Sequence, residues 1–306
     1  MGAGHSHPSA VETDPTIQSP KGHEMNKIKN KIRSNAMISP KTYDKLCIWS
    51  GPIAFLFFFI IFLTSDFLPP IPPRATGEEI TSHFRKHQTG IKAGAALMQF
   101  AGAFYSMFIA GISGQMSRIP GCSHAMTATQ SISGGISTYT ITLPSLFFCI
   151  AIYRLDRPPE LMLLLSDMCW MILIIPFVTF LTSNFALSYA ILGDKRPKPL
   201  FPHWFAWVSS VWPWGFVGGM ALHVVKSGAF AWNGGFTFWV GAASIGVGTV
   251  LNVYFMLRAI DTTDEECEGI ASLPADNAQT KQQKAEDSQD EMTVSCIERT
   301  VATGTN

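Results

Sequence analysis

The chain has 306 residues, of which 47% are hydrophobic and only 14% charged, with 22 Phe and 8 Trp. Soluble domains carry about 25% charged residues, so this composition excludes an ordinary soluble domain and points to the membrane. The formal net charge is zero, but the first 45 residues are basic, the last 45 mostly acidic and polar, and the middle nearly bare; such a balance gives no reason to expect a nucleic-acid partner.

In chain order, residues 1–45 lack the apolar core of a cleaved signal peptide. The MGAGHS opening fits the loose M-G-x-x-x-S acylation pattern, which is frequent by chance. Lys27, Lys29, Lys31 and Arg33 alternate along this polar segment and read better as a topology signal. Six apolar runs follow, near 46–66, 92–113, 128–153, 161–192, 203–225 and 236–258. A bilayer crossing takes about 20 apolar residues. The expected fold is therefore all-α: a polytopic integral membrane protein with about six transmembrane helices over 46–260. The 161–192 run would reach roughly 48 Å as one helix, longer than the ~30 Å hydrocarbon core, and Pro176 is where a kink is expected. The tail, 261–306, is polar and poor in aromatics, and no structure is expected for it.

Lys and Arg counts set the expected orientation. With the N-terminus cytosolic, the inside segments hold 15 and the outside loops 7, so both termini are expected in the cytosol. Between the first two runs, Pro69, Pro70, Pro72 and Pro73 force an extended exit. Thr76-Gly-Glu-Glu79 then reads as a capping box opening a short amphipathic helix with Ile80, Phe84 and His87 on one face, lying on the membrane surface. Small residues such as Gly94, Gly102 and Gly248 read as helix-packing positions. The six cysteines form no C-x-x-C pair, so they read as buried thiols and neither a zinc site nor a disulfide framework is expected.

The stretch that asks for a chemical explanation is RLDRPPELMLLLSDMCW, 154–170. Arg154, Asp156, Arg157 and Glu160 flank a Pro-Pro break, where they can neutralise one another at a helix start. Asp167 lies seven residues after Glu160, on the same helical face and about 10 Å deeper. A carboxylate below the headgroups must be protonated, paired or wet. Asp66, at the end of the first run, and the Trp232–Asn233 loop fall on the same expected side. Trp170, Trp207, Trp214 and Trp232 are candidate ring faces for a passing positive charge, although interfacial aromatic belts account for many tryptophans. No H-E-x-x-H, G-x-S-x-G or P-loop pattern occurs, and the aspartate-rich magnesium motif of soluble prenyl-diphosphate enzymes is absent. An enzyme built from these residues would use carboxylates, with no metal or cofactor.

Four stretches, WSGPIAF (49–55), RLDRPPELMLLLSDMCW (154–170), FPHW (201–204) and GAFAWNGG (228–235), resemble the small integral-membrane terpene cyclases of fungal meroterpenoid pathways, the group of the ascochlorin and macrophorin cyclases. The resemblance runs from about Cys47 to Ile260. It implies a lipophilic prenylated substrate, farnesyl-type and in some cases epoxidised, that is protonated and closes its rings through a carbocation. On that reading Asp167 is the first candidate acid and Asp66 the second, and Glu160 or Asp156 takes the final proton. The rings of Trp170, Trp207, Trp214 and Trp232 shield the cation, with Arg154, Arg157 and Asn233 in support. The endoplasmic reticulum is the expected location. A small-solute channel or carrier, an orphan scaffold, and a double-bond isomerase of sterol-like lipids are the competing readings of the same cluster.

Overall fold

The computed structural model describes residues 38–269, and among them every regular element is helical. Five helical stretches are long and apolar enough to cross a membrane. The first is α1 (Pro40–Thr64), and the second is α3 (Gln88–Met116). The third joins α4 (His124–Ser137) to α5 (Tyr139–Tyr153) through Thr138. The fourth joins α6 (Pro159–Ile174) to α7 (Val178–Gly193), and the fifth runs through a π turn, Gly235–Val240, into α9 (Gly241–Asp261). The expected kink is present: Pro176 sits in a 3₁₀ turn, Ile175–Phe177, with ψ at 26°. Proline offers no N–H to the ladder and its ring crowds the preceding turn, so the helix breaks there.

The 203–225 run departs from expectation. It starts as α8 (His203–Val211) and then tightens into a 3₁₀ segment, Trp212–Ala221, instead of continuing as one α-helix. Pro213 at the transition removes a donor, and Gly215, Gly218 and Gly219 follow within six residues. These glycines let the backbone lie against its neighbours. A Cβ on Gly215 would stand 1.9 Å from Ser244 Oγ, one on Gly218 2.6 Å from Thr237 Oγ1, and one on Gly219 3.0 Å from Ile174 Cγ2. Close contact with α6 and α9 thus replaces regular helix geometry here.

The loop after α1 folds as its sequence suggests. Thr76 caps α2 (Gly77–Lys86): its Oγ1 accepts from Glu79 N at 3.3 Å, and Glu79 Oε2 accepts from Thr76 N at 2.8 Å. Ile80 and Phe84 are buried, but they face the bundle. Gly77 lies so close to Pro159 that an added Cβ would meet its carbonyl oxygen at 2.4 Å. This helix is a plug on the start of α6, not a free surface helix.

Polar side chains join the helices inside the bundle, where a backbone or side-chain partner must replace water. Ser113 on α3 bonds both Gln130 and Ser131 on α4. Gln130 Nε2 donates to Ser183 Oγ on α7 at 3.4 Å, and Ser137 and Thr179 pair at 2.7 Å. Order also extends past the expected boundary at 260. Residues through Gly269 are folded, with a second capping box from Thr263 and Glu266 around α10 (Asp264–Cys267). Residues 1–37 and 270–306, including the candidate acylation site and most of the expected tail, lie outside the described residues.

Candidate functional site: an aromatic chamber

Phe55, Phe58, Phe59 and Phe62 fall at i, i+3, i+4 and i+7 on α1, which places four rings on one helical face. In the structure this face lines a chamber among the spans. Its cavity volume is about 70 Å³, and about 700 Å³ when the open solvent at its mouth is included. Phe180 of α7 and Phe216 of the 3₁₀ segment stack on the opposite wall, with ring planes 12° apart and centroids at 6.1 Å. Phe238 closes another side against Phe62, at 5.8 Å. Polar groups on the lining are few: the Tyr105 phenol and the hydroxyls of Thr140 and Thr237. Such a wall binds apolar skeletons through burial and offers ring faces to positive charge.

Leu173 and Ile174 bring α6 to this chamber. Asp167, Trp170 and Ile174 follow at i, i+3 and i+7, one stripe of the same helix, so Asp167 stands about two turns, or ~10 Å, from Ile174. Trp170 is buried at 1% exposure between them and the first helix, with Phe62 at 6.2 Å and Phe67 at 5.6 Å. Its Nε1–H has no hydrogen-bond partner among the described residues. Asp167 itself is half-buried. It does not line the chamber.

Several predicted residues do gather at one end of the bundle, because the loops there touch. Arg85 donates twice to the Leu155 carbonyl, at 3.2 and 2.9 Å. Arg74 Nη2 reaches Ser227 Oγ at 2.8 Å, and Trp232 Nε1 donates to the Ile71 carbonyl at 2.7 Å. Trp232 is therefore a buried strut between two loops, and Asn233 follows it half-buried. Asp66 is exposed, with a left-handed φ of 52°, and its Oδ2 lies 3.7 Å from His87 Nε2. The His87 ring in turn lies 4.6 Å from the tilted ring of His83, whose Nε2 bonds the Ser65 carbonyl at 2.8 Å. Burial lowers the His83 pKa; the Ser65 bond opposes that shift and the neighbouring His87 adds to it. Sequence reading did not single out this histidine pair as a cluster.

The charged hinge at 154–160 is not the mutually neutralised set expected for it. Among the described residues, no ion pair joins Arg154, Asp156, Arg157 and Glu160. Arg154 lies over the Tyr153 ring at 5.7 Å, and Arg157 donates to the Ile150 carbonyl. Asp156 and Glu160 are exposed, Glu160 in the first turn of α6 where the helix dipole favours it. Trp207 and Trp214 do not reach the chamber either. At 65% and 48% exposure they stand on the outer surface, one in α8 and one in the 3₁₀ segment.

The opposite end holds a charged network that the sequence alone did not single out. Asp194 and Arg196 form a buried bidentate pair, with Nε to Oδ1 at 2.9 Å and Nη2 to Oδ2 at 2.7 Å. Arg118 binds the carbonyls of Ala259 and Thr262, both at 2.6 Å, and Asp264 Oδ1 at 2.9 Å. These contacts hold the last described turn against α3 and the 194–200 loop. No known family model, curated protein or solved structure matches this chain.

Proposed function

We propose that this multi-pass membrane protein is a terpene cyclase that holds a prenylated, farnesyl-type substrate in the aromatic chamber and closes its rings without a metal. The reading rests on one observation: a chamber walled by Phe rings shares the α6 stripe that carries Asp167 through Trp170. An apolar chain fills the chamber, and its terminal epoxide or alkene points along the stripe toward Asp167. The Asp167 carboxyl gives a proton, the chain closes on the resulting cation, and loss of a proton to a second base leaves an isomer of the substrate. Ring faces of Phe58, Phe62 and Phe238 shield the cation from water. Asp66 beside His87 is the second acid candidate, and Glu160 and Asp156 are the candidate bases at the same end.

The expected result is that microsomes containing the protein convert a farnesylated epoxide into a product of unchanged mass. Asp167→Asn lowers the rate at least a hundredfold, the scale of losing a general acid, while protein level is retained. Full activity in that variant removes Asp167 from the mechanism. Accumulation of unaltered substrate inside vesicles would instead favour a carrier.

The same proposal places six crossings in the membrane of the endoplasmic reticulum, the five long apolar helices and the 203–221 segment. Its nine α and ten 3₁₀ residues extend roughly 33 Å, enough for a ~30 Å core. Both termini then face the cytosol and the Trp232 end faces the lumen of the endoplasmic reticulum. A glycosylation acceptor inserted after Ser227 becomes glycosylated on this topology, and one inserted after Lys198 does not.

A further inference from the structure

We infer that the Tyr105 hydroxyl is the polar anchor of the chamber and holds an acceptor oxygen of its lipophilic ligand. The inference rests on the reading that the chamber is the ligand site. Tyr105 is buried at 6% exposure and lines the chamber among phenylalanines, with Phe55 at 6.5 Å and Phe180 at 6.2 Å, both edge-on. Its ring accounts for itself by packing; its hydroxyl does not. That hydroxyl lies on the chamber lining and is not one of the polar atoms shut off inside the protein. A phenol on this lining is open to whatever occupies the chamber, and polar groups in such a place nearly always take a partner.

The donor inventory says what the partner must be. Thr140 Oγ1 donates to the Ser137 carbonyl at 2.7 Å, and Thr237 Oγ1 to the Phe230 carbonyl at 3.1 Å. Both threonines have thus committed their only proton and keep acceptor lone pairs alone. Tyr105 is left with the one uncommitted hydroxyl proton on the described lining. The chamber therefore selects a mostly hydrocarbon ligand bearing an oxygen that accepts without needing to donate: an ether, epoxide or carbonyl oxygen on a prenyl-type chain. A pure hydrocarbon fills the same space but leaves the phenol unpaired.

The test compares two radiolabelled probes on purified full-length protein in detergent: farnesene and its terminal monoepoxide. Wild-type protein is expected to retain the epoxide about tenfold more tightly, the scale of one well-formed buried hydrogen bond. Tyr105→Phe, which keeps the ring, is expected to lower epoxide affinity about tenfold and leave farnesene affinity unchanged. Unchanged farnesene binding also reports that the variant is folded. If both probes bind and Tyr105→Phe weakens neither, the anchor role is overturned while the chamber reading stands. If neither probe binds, or binding survives Ala242→Trp placed to fill the chamber, the chamber reading fails and this inference with it.

Discussion

Gly90→Ala is expected to abolish accumulation of folded protein, the largest effect of any single methyl group in this bundle. Gly90 lies in the first turn of α3 against the last turn of α1. A Cβ there would stand 1.8 Å from the Thr64 carbonyl oxygen and 2.6 Å from its carbonyl carbon. The obstacle is backbone, which cannot rotate aside as a side chain does. Thr64 Oγ1 also donates to the Gly90 carbonyl at 3.1 Å, so separating the helices breaks a bond as well as a packing contact. Further along the pair, Gly94 sits 2.6 Å (as a Cβ) from Ile61 Cα, and Gly51 and Gly111 meet Phe108 and Ile48 at 2.8 Å. A wedge at Gly90 therefore loosens the whole α1–α3 contact, including the helix that supplies four chamber rings. Overpacking costs about 1–3 kcal/mol where neighbours relax, and more where they do not. Detergent extraction followed by gel filtration checks this: Gly90→Ala should yield aggregate, whereas Gly114→Ala, where a Cβ meets nothing within 4 Å, should elute as wild type.

The same glycines mark how far the sequence could be read. Apolar run length located five spans, and the Thr76–Glu79 box and the Pro176 kink were local signals that survived folding. The 203–225 run misled because length and apolarity do not distinguish an α-helix from a 3₁₀ segment; Pro213 and three glycines carried that information. The chamber was legible in part. Phe55, Phe58, Phe59 and Phe62 have helical spacing, but a ring stripe on one helix is indistinguishable from a lipid-facing stripe until Phe180, Phe216 and Phe238 arrive from distant segments. Tyr105 gave no signal, since its meaning depends on where its hydroxyl lies. Trp207 and Trp214 were overvalued because residue type alone does not tell an inward ring from an outward one.

Asp194→Ala should lower stability by about 3–5 kcal/mol, the scale for leaving one partner of a buried ion pair uncompensated. Asp194 and Arg196 are 1% and 5% exposed as side chains. Asp194 also accepts from Leu200 N at 3.0 Å and Arg196 N at 3.2 Å, so the carboxylate organises the turn as well as the guanidinium. Removing it leaves Arg196 with only Asp264, 3.7 Å away and mostly exposed. Arg196→Met in the same chain should recover most of the loss, because an apolar pair of similar volume avoids the desolvation cost altogether. That recovery separates an uncompensated charge from a merely broken loop, which no second substitution at 196 would repair. The acid limb gives a second check. Burial alone would raise the Asp194 pKa, but hydrogen bonds from Arg196 and from the Leu200 and Arg196 amides outweigh it and hold the pKa below the ordinary carboxylate value. A lowered folded pKa contributes stability that is complete above the unfolded value, near 3.9, and is lost as pH falls through the folded one. Thermal denaturation in detergent should therefore show a wild-type loss below about pH 4 that the Asp194→Ala/Arg196→Met protein lacks at this site. Cys267 offers a local readout: it is buried, its thiol pKa is raised chiefly by that burial, and its carbonyl accepts from Lys198 N at 3.1 Å. In a protein retaining Cys267 as its only cysteine, maleimide should label Asp194→Ala readily and wild type slowly, because the turn that covers the thiol is the turn Asp194 holds.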